Sequence, residues 1–295
     1  MNPPSSVADP QLELAVITGM SGAGRSTAAK CLEDLGWYVV DNLPPSLISS
    51  VVDLAARGHG GVDRIAVVVD VRSRAFSTDL DDALHGLRGT GRPVRVVFLE
   101  ASDEVLVRRF DGVRRPHPLQ ADGGLVDGIA RERDLLRELR GNADLVIDTA
   151  VLNVHELRAK IADAFEADSA DTLHLSILSF GYKYGLPLDA DLVLDCRLLP
   201  NPHWVPELRP LTGLEPAVRD YVLSQPGAEE FVSIASELLR RYREGYVAEG
   251  KHYATIAVGC TGGRHRSVAI VQELARRVQD DGVDITVSHR DMEYE

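Results

Sequence analysis

Short runs of valine, isoleucine and leucine alternate along the first half of the chain with longer stretches in which apolar residues recur every three or four positions. This alternation predicts an α/β fold, with a mainly parallel sheet covered by helices. The predicted strands are 12–19, 37–42, 64–72, 94–101 and 144–150. The predicted helices are 24–35, 45–57, 77–88, 103–112, 124–141 and 153–167.

The pattern stops at "EADSADT" (166–172), and a new apolar run begins at residue 173. This break predicts two domains, 12–168 and a smaller α/β domain at 171–295, after a flexible, proline-containing tail at 1–11. In the second domain the pattern predicts strands at 173–180, 191–197, 253–260 and 284–288. It predicts helices there at 228–248 and 264–281.

Composition narrows the class of protein. The chain has 295 residues, 44% of them hydrophobic, and a formal charge of −13. Residues 171–295 hold 13 Lys and Arg against 19 Asp and Glu, a net charge of −6, so neither domain is a basic nucleic-acid binder by bulk charge. Three scattered cysteines, Cys31, Cys196 and Cys260, predict neither a disulfide framework nor a zinc site. Without an apolar run of about 18 residues, the chain is predicted to be cytoplasmic, with no membrane partner.

The segment that joins the first strand to the first helix carries a phosphate-loop motif. Glycines in such a loop let backbone N–H groups surround phosphate oxygens, and the following helix points its positive end at them. The hydroxyl of Ser26 and the carboxylate of Asp70, at the end of the third strand, are predicted to hold Mg²⁺. The alternative is a tight strand-to-helix turn. The loop residues are Gly19, Met20, Ser21, Gly22, Ala23, Gly24, Arg25 and Ser26.

Arg25 stands where the motif carries lysine. A guanidinium keeps the positive charge, but it is a broad planar fork rather than a compact point charge. We therefore expect nucleotide binding to survive better than hydrolysis.

Four arginines follow the fourth strand, at the position where small P-loop kinases carry an arginine-bearing lid over the phosphates. The alternative interpretation is a solvated helix with ion pairs such as those of Glu132 with Arg131 and Arg137. The four residues are Arg108, Arg109, Arg114 and Arg115.

"GCTGGRHRS" (259–267) predicts a second glycine-rich turn between a buried strand and a helix. Small residues, free backbone donors and cations at a helix start favour an anion site. The letters also match the C-x-x-G-x-x-R-S loop of cysteine phosphatases, with Cys260 as nucleophile, although no general acid is evident and Gly259 replaces the usual histidine. A structural turn around a buried Cys260 is the third interpretation.

The segment 191–213 is dense in proline and polar groups, and it is predicted either to line a pocket over the second anion site or to anchor a stiff loop on the core. The candidate lining residues are Asp195, Arg197, Asn201, His203, Trp204 and Arg209.

Several motifs in order, "GMSGAGRSTAAKCLEDLGWYVVDNLPPSL", "DVRS", "RRPHPL", "SFGYKYG", "LPNPHW", "LTG" and "GCTGGRHRSV", closely resemble the RapZ/YvcJ family of bacterial P-loop nucleotide-binding proteins, from about residue 12 to residue 291. The resemblance implies a kinase-like N-terminal domain that binds ATP at residues 19–26 and hydrolyses ATP and GTP weakly. It attributes a GTP-contacting stretch to Asp70, Val71, Arg72 and Ser73.

For the C-terminal domain the resemblance implies a phosphate or phosphosugar pocket, with an amino-sugar phosphate among the candidate ligands. In enterobacterial relatives this domain binds small RNAs and acts as an adapter for ribonuclease E. Those relatives carry a basic C-terminal tail, whereas this chain ends in "VSHRDMEYE", so the acidic charge weakens an RNA role. The residues carried over are His203, Thr261, Gly262, Gly263, His265 and Arg266.

The leading hypothesis is a nucleotide-responsive regulator with a phosphorylated metabolite as its second ligand. A small-molecule kinase that uses the lid arginines and Asp41 is the rival enzyme, and an RNA-binding adapter is the third possibility. The adapter would need a local basic patch, for which a solvated helix face is the alternative. The sequence leaves the oligomeric state open, a homo-oligomer included. The patch residues are Arg240, Arg241, Arg243, Lys251, Arg264 and Arg266.

Overall fold

The computed structural model describes residues 12–57, 62–70, 74–89, 94–113, 116–120, 123–166, 173–249, 251, 253–279 and 284–294. The predicted tail at 1–11 lies outside the described residues, as do Val71, Arg72, Ser73, Arg114 and Arg115. The chain divides into two compact units, Met1–Ala167 and Asp168–Glu295. Among the described helices, none combines the length and the apolar character that a membrane span requires.

Five parallel strands form the sheet of the N-terminal unit, in the order β2-β3-β1-β4-β5. The central strand β1 is buried from Leu14 to Gly19, as expected for a parallel sheet covered on both faces. The chain continues from β1 toward one edge and later crosses to the other, so the end of β1 is the switch point at which open α/β sheets bind ligands. The strands are β1 (Glu13–Gly19), β2 (Tyr38–Val40), β3 (Arg64–Val68), β4 (Val94–Glu100) and β5 (Leu145–Asp148).

The described residues of this unit form seven helices, and a 3₁₀ turn at Pro45–Leu47 precedes the second. The predicted helix at 124–141 is two helices, because the chain turns at Leu136. The helix predicted at 77–88 begins earlier, at Arg74, and the strand predicted at 64–72 ends earlier, at Val68. The helices are α1 (Arg25–Asp34), α2 (Ile48–Arg57), α3 (Arg74–Gly89), α4 (Asp103–Val113), α5 (Leu125–Leu135), α6 (Arg137–Gly141) and α7 (Val154–Glu166).

The C-terminal unit has a four-stranded parallel sheet in the order β7-β8-β6-β9. All eight residues of β8 are buried, so the glycine-rich turn that follows it starts from a fixed strand end. The sequence pattern missed α8, a short helix that opens with Pro216 at its first turn. The elements are β6 (His174–Gly181), β7 (Leu192–Asp195), α8 (Pro216–Leu223), α9 (Ala228–Ala248), β8 (Tyr253–Cys260), α10 (Arg266–Val278) and β9 (Asp284–His289).

Candidate functional site

The predicted phosphate loop lies between β1 and α1. Gly19, Gly22 and Gly24 have φ values of 133°, 85° and 103°, in the region that only glycine adopts readily. A Cβ on Gly19 would stand 2.1 Å from the carbonyl oxygen of Leu99, so the loop leaves the sheet in close contact with β4. The loop therefore needs glycine at these positions for backbone reasons.

Two side chains hold the carbonyl groups of the loop from outside. Arg109 Nη1 donates to the carbonyl oxygen of Gly22 at 2.9 Å, and the hydroxyl of Thr149 donates to that of Ala23 at 3.0 Å. In a trans peptide the N–H points opposite to the C=O. Fixing the carbonyl of Ala23 therefore fixes the direction of the N–H of Gly24. This N–H is the first of those at the start of α1 that have no acceptor within the helix.

Ser21 is anchored by a buried carboxylate. Its backbone N–H donates to Glu132 Oε2 at 2.9 Å, and its hydroxyl donates to Glu132 Oε1 at 2.6 Å. His117 Nε2 lies 3.1 Å from Glu132 Oε2. The alternative interpretation, in which Glu132 on a solvated helix pairs with Arg131 and Arg137, is wrong for this residue, because Glu132 is 1% exposed and bonds Ser21 of the loop.

Arg25, at the lysine position of the motif, forms an ion pair with Asp70. Its Nη1 is 3.2 Å from Asp70 Oδ1 and also donates to the carbonyl oxygen of Val69 at 3.3 Å. The two side chains are 16% and 14% exposed. The structure thus brings together two of the residues predicted at the site, with the cation held on the carboxylate.

Ser26 lies exposed in the first turn of α1, next to Arg25. Within the described part of the chain, no three His, Cys, Asp or Glu side chains gather into a metal site. Mg²⁺ is commonly held by one or two protein groups together with nucleotide phosphates and water. A hydroxyl and one carboxylate suit such a site, provided that Arg25 gives up its hold on Asp70.

Sequence reasoning missed the parts of this site that come from distant segments, namely Thr149, Glu132 and His117. It left Arg109 open between a lid and a solvated helix, whereas its guanidinium bonds the loop and the Thr149 carbonyl oxygen. One signal was present: Glu132 follows Ile129 and Gly128 by three and four residues, which places it on their buried helix face.

The second glycine-rich turn opens onto a cavity of about 670 Å³ in the C-terminal unit. Among the described residues, four cationic side chains line it and no Asp or Glu does, although the sequence of this unit is acidic overall. A pocket lined by one sign of charge concentrates ligands of the opposite sign. The lining residues are Lys183, Asn201, His203, Trp204, Arg209, Pro210, Cys260, Thr261, Gly262, Arg264, His265, Arg266 and Tyr294.

Of the predicted anion-site residues, Gly263 lies behind the pocket. It has a φ of 76°, and a Cβ there would stand 2.7 Å from the backbone nitrogen of Gly181. Of the segment 191–213, Asp195 and Arg197 pair with each other at 2.6 Å instead of lining the cavity. Trp204 is 74% exposed at the pocket, so its anchoring on the core is excluded.

Arg266 is the buried cation of this pocket, at 4% exposure. Its Nη1 donates to the carbonyl oxygens of Arg197 and Leu199, at 3.1 and 2.8 Å, and its Nη2 donates to the hydroxyl of Thr261 at 3.1 Å. Its Nε is buried and has no hydrogen-bond partner among the residues that the structure describes. Because a buried donor without an acceptor is costly, the guanidinium edge formed by Nε and Nη2 is suited to an anion.

Arg264 and His265 shape the wall of the pocket. Arg264 donates to the carbonyl oxygens of Pro210, Leu211 and Met292, so its guanidinium is already bonded to the backbone. His265 Nε2 lies 3.1 Å from the carbonyl oxygen of Arg209, and burial lowers the pKa of the imidazole below its usual 6.5.

Cys260 lies at the floor of the pocket. Its Sγ accepts the N–H of Gly263 at 3.2 Å and lies 3.2 Å from the hydroxyl of Ser267. No carboxylic acid lies among the lining residues in the described part of the chain, so these residues supply no general acid of that type for the phosphatase interpretation. Cys196 is also buried, and burial raises the pKa of its thiol well above the usual value.

The proposed basic patch is largely neutralised. Arg240 and Arg241 pair with Glu237, and Lys251 pairs with Asp191. Arg264 and Arg266 belong to the pocket. These contacts favour the solvated helix face over an RNA surface.

Comparison with known proteins gives matches along both units. Residues 12–169 match the RapZ-like N-terminal domain, and residues 173–293 match the RapZ C-terminal domain. A nucleotide-binding protein of Acidothermus cellulolyticus is 63% identical over 286 residues, 95% of this chain and 92% of that protein. Another, of a Parafrankia species, is 66% identical over 281 residues, 95% of this chain and 97% of that protein. Shikimate kinase from Bacteroides thetaiotaomicron is 17% identical, covering 53% of this chain and 99% of its own, with a TM-score of 0.38.

Proposed function

The chain belongs to the RapZ family, and on that premise we propose that it is a regulatory protein with two ligand sites. The N-terminal unit binds ATP and GTP with Mg²⁺ and hydrolyses them weakly. The C-terminal unit binds a phosphate ester, with an amino-sugar phosphate among the candidates. Nucleotide in the first site and a phosphorylated metabolite in the second set the regulatory state.

The observation that carries the nucleotide site is the held conformation of residues 19–26. Arg109 and Thr149 hold the carbonyls of Gly22 and Ala23, and the held carbonyl of Ala23 orients the N–H of Gly24, at the start of α1. Backbone donors at a helix N-terminus bind phosphate oxygens. The relatives from Acidothermus and Parafrankia are named as nucleotide-binding proteins, which supports the same assignment.

Ser26 and Asp70 would hold Mg²⁺, and the ion would neutralise charge on the bound phosphates. Asp70 begins the four-residue stretch, with Val71, Arg72 and Ser73, to which we attribute contacts to GTP. Of these four residues, only Asp70 lies within the described part of the chain.

Weak turnover follows from Arg25. Its guanidinium is engaged by Asp70, and it is broader than the lysine of the motif, so it stabilises a transferring phosphoryl group less well. Nucleotide therefore acts mainly as a bound signal. A slow NTPase step ends that signal.

In the C-terminal unit, the proposal is carried by Arg266, whose buried Nε has no hydrogen-bond partner in the described part of the chain. A phosphate group bound along Nε and Nη2 supplies the missing acceptor and a bidentate charge-assisted contact. The exposed ring of Trp204 at the same pocket offers an apolar face to the rest of the ligand.

Isothermal titration of the full chain tests both sites. We expect ATP and GTP to bind in the presence of Mg²⁺, and glucosamine 6-phosphate to bind independently at the second site. Arg266→Ala should abolish sugar-phosphate binding and leave nucleotide binding intact.

Failure of ATP and GTP to bind the wild type would refute the nucleotide assignment. ATP consumption that rises on addition of an acceptor, with a phosphorylated product, would identify a kinase. RNA affinity that falls steeply with salt would identify an adapter.

A further inference from the structure

The carboxylate of Glu132 is buried beside the phosphate loop, which is an unusual place for a negative charge. Its side chain is 2% exposed. A carboxylate is buried at a large cost in solvation unless hydrogen bonds replace water. Here the donors are the N–H and the hydroxyl of Ser21 and the Nε2 of His117, and two of the three come from the loop itself.

His117 is oriented by its own contacts. Its Nδ1 accepts the N–H of Leu119 at 3.1 Å, so the proton of the neutral ring is on Nε2, where it is donated to Glu132. The ring of Phe110 packs on it at a centroid distance of 5.0 Å. A Cβ on Gly128 would stand 2.8 Å from Nδ1, which leaves the ring no room to move toward the helix.

From these contacts we infer that Glu132 and His117 are positioning residues for the nucleotide phosphates. His117 orients Glu132, and Glu132 fixes Ser21 and with it the first turn of the phosphate loop before nucleotide arrives. The inference rests on the proposed nucleotide binding at this loop. It assigns to the histidine of "RRPHPL" and to Glu132 a role that no local motif describes.

The physical gain is preorganisation. Gly19, Gly22 and Gly24 give the loop more conformational freedom than other residues would, and ordering it on binding would cost affinity. With Ser21 held on both its N–H and its hydroxyl, the N–H of Ala23 closes a turn on the carbonyl oxygen of Met20 at 3.0 Å. The opposing effect is repulsion between Glu132 and the phosphates, and the two effects predict opposite results for removal of the charge.

Glu132→Gln distinguishes them. The amide keeps the shape but removes the charge: its oxygen can accept the N–H of Ser21 and the Nε2 proton of His117, and its NH₂ can donate to the Ser21 hydroxyl, so charge-assisted hydrogen bonds become weaker neutral ones. We expect ATP and GTP to bind about tenfold more weakly, the size of one charge-assisted hydrogen bond, in titration calorimetry with Mg²⁺. The turnover of bound nucleotide at saturation should change less than the affinity does.

Glu100→Gln is the matched control, because Glu100 is also 2% exposed in this unit but pairs with Arg133 and Arg140. It should lower the melting temperature and leave the nucleotide affinity within about twofold of wild type. If Glu132→Gln does not fold, Ser21→Ala tests the same contact, because it removes only the hydroxyl. It should weaken nucleotide binding about threefold. In the double variant the two losses should not add, since both act through one contact.

Nucleotide binding by folded Glu132→Gln that equals or exceeds that of wild type would overturn the inference, with repulsion as the larger effect. An equal loss of affinity in Glu100→Gln would also overturn it, since the effect would then be one of general stability. A wild type that binds no nucleotide would instead refute the proposed function on which the inference rests.

Discussion

Thr149 joins the phosphate loop to the sheet, and its replacement by valine gives a quantitative test of how the loop is held. The residue follows β5 and is 2% exposed. Its hydroxyl lies 3.0 Å from the carbonyl oxygens of both Ala23 and Glu100, and it accepts Arg109 Nη1 at 3.0 Å. One hydroxyl proton serves one carbonyl at a time, so the hydroxyl makes one donated and one accepted bond.

Valine has nearly the same shape and removes both bonds. The donated bond contributes about 1 kcal/mol, and the bond from the guanidinium contributes about 1–2 kcal/mol once water is allowed to replace part of it. We therefore expect Thr149→Val to lower the free energy of unfolding by about 2–3 kcal/mol, which corresponds to roughly 5–10 °C in melting temperature for a unit of this size. Because the carbonyl of Ala23 is released, nucleotide affinity should fall by about threefold to tenfold.

Urea denaturation followed by tryptophan fluorescence measures this change. Trp37 is 4% exposed and reports the N-terminal unit, whereas Trp204, at 74%, is already in water. Thr149→Ser keeps the hydroxyl and is the control. A loss below about 0.5 kcal/mol in Thr149→Val, or an equal loss in Thr149→Ser, would show that the hydroxyl does not hold the loop.

Three further predictions follow from single side chains. Arg25→Lys should raise the rate of ATP hydrolysis by about tenfold with little change in affinity, and unchanged turnover in a phosphate-release assay would make arginine a neutral variant. Arg266→Lys should weaken sugar-phosphate binding by about tenfold or more in calorimetry, since one ammonium cannot replace the Nε and Nη2 edge; wild-type affinity would exclude bidentate binding. Burial lowers the pKa of His265 and His289 below 6.5, so the unfolded state takes up protons first. The C-terminal unit should therefore lose stability as the pH falls below about 6.5. The loss should level off once the pH is below the lowered pKa values of the folded state. Urea denaturation at pH 7.5 and 5.5 measures this drop in the free energy of unfolding. The drop should be smaller in His289→Gln than in the wild type, and an equal drop would show that His289 does not cause it.

Much of the fold was predictable because it depends on local patterns. The strand ends of β1 and β8, the helix starts that follow them and both glycine-rich turns are encoded in consecutive residues, since burial and backbone freedom are properties of short segments. Of the cations that line the second pocket, Arg209 and Arg266 were among the candidate residues, and the candidates His203 and Thr261 also line it. The short helix α8 was missed, because eight residues give too few turns for a periodic signal.

What only the tertiary structure decided is how each loop is held. Glu132 meets Ser21 across 111 residues, and Thr149 meets Ala23 across 126. The engagement of Arg25 by Asp70 and the unpartnered Nε of Arg266 likewise depend on which side chains of separate elements face each other. The sequence by itself determined the two glycine-rich turns, because glycines and helix starts specify backbone conformation and donors locally. The packing of distant elements determined the orientation of those donors, because a buried polar group must find its partner wherever the fold brings one.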